Sequence, residues 1–407
     1  MNAVIETGRN AAVYVVIAID TEGPIDDPRK PDILSNWDRV NGLVERLFSD
    51  AYRDDVLDSA GRGAVLSWFI LTLTGFRTNP FNRAMGYHAV YDHYLSHFGE
   101  AMASRGDEVY WHYHHPAPSG IGNEWSKDWL HCQEYDQILA RLALERNFFP
   151  SCFRAGGRIE NDDTSWWLEE IIPFDYSACT GSVDWDNKES DGQRLRDVCD
   201  WSRSPTEWTA YHPSADDYQA PGGMQRWIFR CPDLDSRVHS LAEDDIAEAF
   251  ERARAGNNAI LSFFEHDRRD ITYAKLADAN RRIAEIAKRY PDTPWYFANA
   301  RDAAIAATNA PRTAAPQFQI KAHGPDRLLV ACSTPLFGRS PFVAFADEKG
   351  DKIRRVAPLI TGHRKWLVDI PADARYGVIA ANSPAGEAGI TRIDIPTAQQ
   401  TPNGEQN

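Results

Sequence analysis

The sequence contains no Cys-x-x-Cys pair, and its six cysteines are scattered among 407 residues. This spacing excludes metal-finger sites, so we expect scattered and mostly buried thiols. Long apolar runs are also missing, because Val13–Ile19 is too short for a secretory signal or for a segment that spans a membrane. These absences favour a reduced, cytoplasmic protein without a membrane span.

Basic residues are in short supply, with 44 Lys and Arg against 59 Asp and Glu and a net charge of -15. Nucleic acid and anionic membranes attract basic surfaces, so neither is expected as a partner, whereas a neutral sugar is compatible with this charge. The apolar share of 43% and the charged share of 25% are typical of a globular protein. The length suits one large domain followed by a small one.

Buried strands and amphipathic helices alternate along the first 306 residues. The predicted strands are Val13–Ile19, Ala64–Leu71, Glu108–Tyr113, Cys152–Arg154 and Ala259–Phe264. Apolar residues recur at helical spacing within 37–48 and 135–142, and Ser240 with Glu243 predicts a capping box that opens a third helix. This alternation predicts an α/β domain with a parallel sheet and helical crossovers, open or closed into a barrel.

A change of composition marks the C-terminal part of the chain. Residues 307–317 form a linker of small residues and proline, and 318–396 contain short alternating runs separated by turn residues. These runs are Leu328–Ala331, Phe342–Phe345, Trp366–Ile370 and Val378–Ala381. They predict a small antiparallel β-sandwich, and the polar residues 397–407 predict a disordered tail.

Two acidic residues, Asp20 and Glu22, follow the first predicted strand. The carboxyl ends of strands are where alternating α/β folds place their chemistry. Two carboxylates this close can divide the work, because one can bind a cation while the other, left uncoordinated, takes a proton.

A cluster of three histidines ends the third predicted strand, at His112, His114 and His115. On an extended segment His112 and His114 point the same way, which suits a metal held through neutral imidazole nitrogens. His115 could replace His114 if the strand ends early. The cluster therefore predicts a metal site with two of these three histidines as ligands.

An arginine and a histidine follow two further predicted strands. Arg154 precedes a Gly-Gly turn and could clamp a carboxylate through two hydrogen bonds. His266 follows an apolar strand, where it could give a proton to a leaving group. Either Glu265 or Asp267 could orient the His266 ring.

These four motifs, in this order, resemble those of the NodB-type polysaccharide deacetylases, which form the fourth carbohydrate esterase family. The resemblance covers roughly residues 12–300, and within the family the chain is most similar to the WalW-like branch associated with lipopolysaccharide biosynthesis. The stretches that carry it are IDTEG, Trp68–Tyr94, WHYHHP, FRAGGRIEN and IPFDYSACTGS.

The resemblance implies a deformed (β/α) barrel of about seven strands that holds one divalent metal, usually zinc, and removes N- or O-linked acetyl groups from a sugar or glycan. It implies that Asp20 is the general base, that Arg154 orients Asp20, and that His266 is the general acid. The implied metal ligands are Glu22, His112 and either His114 or His115.

The sequence departs from the family pattern at three positions. Thr21 separates Asp20 from Glu22, whereas most members have two adjacent aspartates. Pro116 stands four residues after His112, where the second histidine of the usual pair would be. Gly156 stands where proline is common.

The insertion 201–227 is rich in aromatic residues and too irregular to be one element, and long loops over a barrel mouth often confer specificity. Its Trp208, Tyr211 and Tyr218 are therefore candidate sugar contacts.

Two other functions compete with deacetylation. A metal-independent glycosidase would pair Asp20 with a second acid such as Asp175 or Glu265, but it leaves the histidine cluster without a role. A non-catalytic sugar-binding protein would have kept the barrel and lost the reaction, and the altered first motif favours it slightly.

Overall fold

The computed structural model describes residues 11–25, 33–78, 85–115, 134–179, 200–234 and 241–395. The strands of the first 300 residues are β1 Val13–Thr21, β2 Leu66–Thr72, β3 Glu108–Tyr113, β4 Cys152–Ala155, β5 Phe174–Ala178, β6 Trp227–Arg230, β7 Ala259–His266 and β8 Trp295–Phe297. The helices are α1 Trp37–Phe48, α2 Asp50–Arg53, α3 Ala89–Arg105, α4 Glu134–Arg146, α5 Asp162–Glu169, α6 Glu243–Arg254, α7 Thr272–Ala287 and α8 Ala300–Thr308.

The first eight strands form a parallel sheet in the order β6-β5-β4-β3-β2-β1-β7, with β8 also paired to β1. The residues after β6 approach β7, because Phe264 donates to the Pro232 carbonyl and Leu234 donates to the Phe264 carbonyl. These bonds nearly close the sheet. The predicted deformed α/β barrel of about seven strands is therefore confirmed.

Strand β1 is buried along its whole length because both of its faces are covered. Tyr14, Val16 and Ala18 point into the barrel, where they join an interior cluster that includes Phe69 and Phe264. The alternate residues of β1 pack against the surrounding helices. This is why the strand appears in the sequence as a continuous apolar run instead of an alternating one.

The predicted strands and helices are present, with small shifts at their ends. The predicted capping box is wrong, because Glu243 is the first residue of α6, and the backbone N–H of Ala242 donates to the Asp245 carboxylate. Ser240 lies outside the described residues. Strands β5, β6 and β8, which have five residues or fewer, were not predicted.

Two antiparallel four-stranded sheets follow the barrel, in the orders β13-β14-β10-β9 and β12-β11-β15-β16. Their strands are β9 Phe318–Ala322, β10 Arg327–Cys332, β11 Phe342–Ala346, β12 Ile353–Arg355, β13 Leu359–Gly362, β14 Lys365–Asp369, β15 Tyr376–Asn382 and β16 Ala388–Asp394. Apolar residues of both sheets, among them Val330, Trp366 and Phe345, form a shared core. The predicted sandwich is confirmed, and the predicted disordered tail lies outside the described residues.

The second sheet of the sandwich also packs against the barrel. Phe342 and Val378 share an apolar cluster with Ile138 and Leu142 of α4. Asn382 adds two hydrogen bonds, of 2.8 and 2.9 Å, from its side-chain amide to carbonyls of the barrel. Strand β11 is consequently buried on both faces.

The four cysteines within the described ranges (Cys152, Cys179, Cys231 and Cys332) are buried. This agrees with the expectation of buried thiols. No helix in the described part of the chain is long and apolar enough to cross a membrane.

Candidate active site

The candidate catalytic and metal-binding residues lie together at the carboxyl end of the barrel because the register of the sheet pairs them across neighbouring strands. Asp20 of β1 lies opposite His266 of β7, and His112 of β3 lies opposite Arg154 of β4. Side chains at matched positions of neighbouring parallel strands share a face. These residues share the inward face and sit above the aromatic interior of the barrel.

Asp20 and Arg154 form a bidentate ion pair. The Nε and Nη2 atoms of Arg154 donate to the two carboxylate oxygens of Asp20 at 2.7 and 3.1 Å. Burial alone would raise the pKa of Asp20, but Arg154, His112 and His266 outweigh it and lower the pKa to about 2. Asp20 is therefore an ionised and firmly oriented carboxylate at neutral pH.

Glu22, His112 and His114 form a group that could hold a metal ion, with one ligand atom of each lying within 4.8 Å of the others. The Nε2 atoms of the two histidines are 3.0 Å apart, and Glu22 Oε1 lies 4.0 Å from His112 Nε2 and 3.7 Å from His114 Nε2. Two imidazole nitrogens and one carboxylate are a ligand set found in catalytic zinc sites. All three residues are buried.

A backbone carbonyl fixes the orientation of the His112 ring. The Nδ1 atom of His112 lies 3.0 Å from the Arg154 carbonyl, and since a carbonyl oxygen only accepts, Nδ1 carries the hydrogen. The neutral ring therefore turns the lone pair of Nε2 toward Glu22 and His114, as metal-binding histidines do. Burial lowers the pKa of His112 to about 4, despite the opposing charge of Asp20.

The structure does not bring His115 into this group. Its Nδ1 atom pairs with the hydroxyl of Tyr113 at 2.8 Å, and its ring is buried. The His114 side chain instead points toward Glu22. The backbone N–H of His114 donates to the Thr72 carbonyl at 3.3 Å. Of the two alternatives left open by the sequence, the geometry favours His114.

Arg268 was missed by the sequence reasoning and holds Glu22 from the other side. Its Nε and Nη2 atoms donate to Glu22 Oε2 and Oε1 at 2.8 and 3.2 Å. Burial would raise the pKa of Glu22, but Arg268, His114 and His266 hold it well below its usual range. The signal was present, because Arg268 follows the fourth motif directly and β7 is a neighbour of β1.

Asp267 fixes the turn that presents Glu22, a role that the sequence did not reveal. Its carboxylate accepts from the backbone N–H groups of Glu22 and Gly23, both at 2.9 Å, and from the Tyr94 hydroxyl at 2.7 Å. Gly23 has a φ of +69°, and a side chain there would lie 2.7 Å from the Trp37 ring. Burial raises the pKa of Asp267 to about 6 despite these hydrogen bonds.

His266 lies beside the group on β7, with its Nε2 atom 3.5 Å from Glu22 Oε1. Neither expected partner orients its ring, since Asp267 holds the Glu22 turn and Glu265 contacts Lys275. Burial and Arg268 lower the pKa of His266 more than Glu22 and Asp20 raise it. The ring is therefore mainly neutral at pH 7.

The second acids required by a glycosidase point away from Asp20. Asp175 and Glu265 alternate with inward-facing residues of β5 and β7, so both face the helices. Asp175 is fully buried against Arg226, and Glu265 lies 3.7 Å from Lys275 of α7. Neither can flank a glycosidic bond together with Asp20.

Trp208, Tyr211 and Tyr218 are not brought to the group. The Trp208 carbonyl accepts from Ile260 at the start of β7, six residues before His266, which places it roughly 20 Å along the strand from the site. Tyr211 and Tyr218 are 7% exposed and stabilise their own loop, with the Tyr211 hydroxyl donating to the Tyr218 carbonyl at 3.1 Å. Their positions give no support to the predicted sugar contacts.

No protein-family model and no curated protein sequence matches the chain. Among solved structures, an endo-β-1,4-mannanase double mutant from Cellulomonas fimi aligns over 95% of this chain and 94% of its own, at 11% identity and a TM-score of 0.29. Bovine butyrophilin aligns over 22% of this chain and 46% of its own, at 14% identity and a TM-score of 0.14. Both TM-scores are too low to support an argument about function.

Proposed function

We propose that the protein is a metal-dependent deacetylase that hydrolyses an N- or O-acetyl group on a sugar. One observation carries the proposal: a Glu-His-His group suited to a metal lies next to a separate carboxylate, Asp20, that is ionised and held by Arg154. The distance from Asp20 Oδ2 to His112 Nε2 is 3.9 Å, so the carboxylate adjoins the ligand group. The resemblance to the NodB-type family supports the same division of roles.

Asp20 is proposed as the general base. With its pKa at about 2, it is unprotonated at any pH at which the protein would work. Because Arg154 occupies both of its oxygens, the carboxylate keeps one orientation and accepts a proton from water along its remaining lone pairs. The low pKa limits its strength as a base, so the attacking water must be activated by another group as well.

The ligands Glu22, His112 and His114 would hold the metal that supplies this activation. A bound divalent cation lowers the pKa of water and polarises the acetyl carbonyl. The protein supports it by fixing the tautomer of His112 through the Arg154 carbonyl and by holding Glu22 between Arg268 and the Asp267 turn. Zinc is the proposed metal because of the nitrogen-rich ligand set.

His266 is proposed as the general acid that protonates the departing sugar nitrogen or oxygen. Strand β7, which carries His266, pairs with one side of β1, and β2 pairs with the other side. The His266 and His114 rings therefore approach the same oxygen of Glu22 from different strands. Its protonated form is the minor one at pH 7, since its pKa is lowered. We therefore expect kcat to fall as the pH rises above the His266 pKa.

The WalW-like resemblance favours a lipopolysaccharide precursor or a related glycan as substrate. The test is acetate release from a panel of N- and O-acetylated sugars, including nucleotide-linked and lipid-linked ones, by chelator-stripped protein with and without zinc. Zinc-dependent release from at least one sugar is expected. Release of sugar from glycosides without metal would favour the glycosidase, and no release by the zinc-loaded protein would favour a binding protein.

A further inference from the structure

The turn after β4 touches the candidate metal ligands in an unexpected way. A Cβ atom placed on Gly156 would lie 2.3 Å from Cγ and 2.4 Å from Cδ2 of His114, and 2.7 Å from its Cα. Such distances do not occur between non-bonded atoms, so the Cα and the imidazole of His114 occupy the space that any side chain at residue 156 would need. His114 itself is buried, with little room to retreat.

We propose that Gly156 is a positioning residue that selects His114 as the second histidine ligand. This inference rests on the proposed metal site. A side chain at residue 156 would push the His114 ring away from the Nε2 atom of His112, which now lies 3.0 Å from His114 Nε2. The close spacing of the two histidines therefore depends on a glycine at position 156.

Neighbouring residues cannot take over the role of His114. His115 is paired with the Tyr113 hydroxyl and lies outside the ligand group. Pro116 has no side-chain atom that could bind a metal. Among the described residues, displacement of His114 would reduce the candidate ligand group to His112 and Glu22.

The same short segment also serves the proposed base. The side chain of Arg154 holds Asp20, and its carbonyl accepts from His112. Two residues later, Gly156 makes room for His114. Residues 154–156 therefore connect the carboxylate that takes the proton with both histidines of the metal group, and a change at residue 156 should act on one part of this assembly only.

The experiment compares zinc affinity, by calorimetric titration of the chelator-stripped full-length chain, in the wild type, G156A, H114A and the double variant. G156A should weaken zinc binding about 10- to 100-fold, as loss of a ligand-orienting partner does. The double variant should bind no more weakly than H114A, because both changes act through one ligand. G42A is the control, since a Cβ at Gly42 meets nothing within 4 Å.

The outcomes separate this inference from the metal site itself. If the wild type and G156A bind zinc equally well, the positioning role is overturned and the metal site stands. If G156A weakens binding as strongly in the H114A background as in the wild type, it acts elsewhere and the inference also falls. If the wild type binds no zinc, the proposed metal site fails, and this inference fails with it.

A folding defect would still be informative, because the two closest atoms belong to the imidazole that H114A removes. Thermal unfolding followed by circular dichroism should show G156A to be less stable than the wild type, with a smaller loss when alanine replaces His114. An equal loss of stability in both backgrounds would contradict the proposal.

Discussion

Asp20 and Arg154 are joined by two hydrogen bonds across 134 residues of sequence, and both side chains are buried. A buried charge without its partner typically costs about 3–5 kcal/mol, so this pair persists only because each member satisfies the other. The guanidinium also stacks on Phe264, 3.8 Å from the ring centroid, and donates to the Tyr176 carbonyl. Asp20 is thereby fixed beside the Glu-His-His group.

Replacing Asp20 with asparagine should remove turnover and leave the metal bound. The amide keeps the size of the side chain but cannot take a proton, so kcat should fall about 10²- to 10⁴-fold. Acetate release and zinc content should be measured on the same preparation. Full activity in D20N would rule out Asp20 as the general base.

Arg154→Lys should raise the lower pKa of the pH–rate profile. Arg154 is a main cause of the low pKa of Asp20, and lysine cannot reproduce the bidentate contact. As the pH is lowered, R154K should therefore lose activity earlier than the wild type, in which the pKa of Asp20 is about 2.

Zinc affinity serves as the control for R154K, because His112 contacts the backbone carbonyl of Arg154 and not its side chain. The affinity should stay near that of the wild type. An unchanged acidic limb in R154K would show that the arginine does not tune Asp20.

Much of the site could be predicted because four motifs follow buried strands that the apolar pattern identifies. Asp20, His112, Arg154 and His266 then meet because parallel strands end at the same rim of the sheet. What the sequence could not show is which partner each polar group finds across the sheet. Asp267 was one of two acids that could orient His266, yet its carboxylate holds the backbone of Glu22, 245 residues away.

Specificity was harder to predict than the site. Aromatic residues in an irregular loop suggested sugar contacts, but Trp208 is buried near the opposite end of the barrel, where its indole N–H donates to the Asp245 carbonyl at 2.6 Å. Composition alone cannot distinguish a loop that lines a mouth from one that packs on the sheet. The clash that makes Gly156 necessary depends on atomic distances, which spacing does not provide.

His114→Ala and His115→Ala should differ in zinc binding. His114 belongs to the candidate ligand group, whereas His115 is paired with Tyr113 and lies outside it. H114A should lose at least about 10-fold in zinc affinity, and H115A should bind as the wild type does. Calorimetric titration of both variants decides the matter, and a larger loss in H115A would reverse the assignment.

Asp267→Asn should weaken the turn that carries Glu22. In the wild type, the backbone N–H groups of Glu22 and Gly23 donate to separate oxygens of Asp267. The amide of D267N has only one acceptor oxygen, so one of these N–H groups loses its partner. Urea unfolding should show a loss of about 1–3 kcal/mol, while Tyr94→Phe, which removes a single hydrogen bond, should lose about 1 kcal/mol.

The cost of D267N should also depend on pH. The pKa of Asp267 is raised to about 6 in the folded protein, so the folded state holds its proton more tightly than the unfolded chain. The stability that this contributes is present at low pH and is lost as the pH rises through about 6. The asparagine of D267N does not titrate, so the difference in unfolding free energy between the wild type and D267N should shrink between pH 4 and pH 7. A difference that grows over this range would show that burial does not raise the pKa of Asp267.

His112 should stay neutral far into the acid range in the metal-free protein. Its pKa is about 4, so the ring gains a proton only below that pH, whereas an ordinary histidine titrates near 6.5. An NMR titration that compares the wild type with H112A identifies the signal. Protonation near pH 6.5 would show that the ring is less buried than the structure indicates.

In the proposed reaction, Glu22, His112 and His114 hold one metal that the deacetylation requires. The most direct test titrates zinc into chelator-stripped protein while acetate release is followed in the same sample, with H114A alongside. Activity should rise linearly and level off at one zinc per chain, with no such recovery in H114A. Full activity before any zinc is added would show that the reaction does not need the metal, and zinc-loaded protein that releases no acetate would show that the group does not catalyse deacetylation.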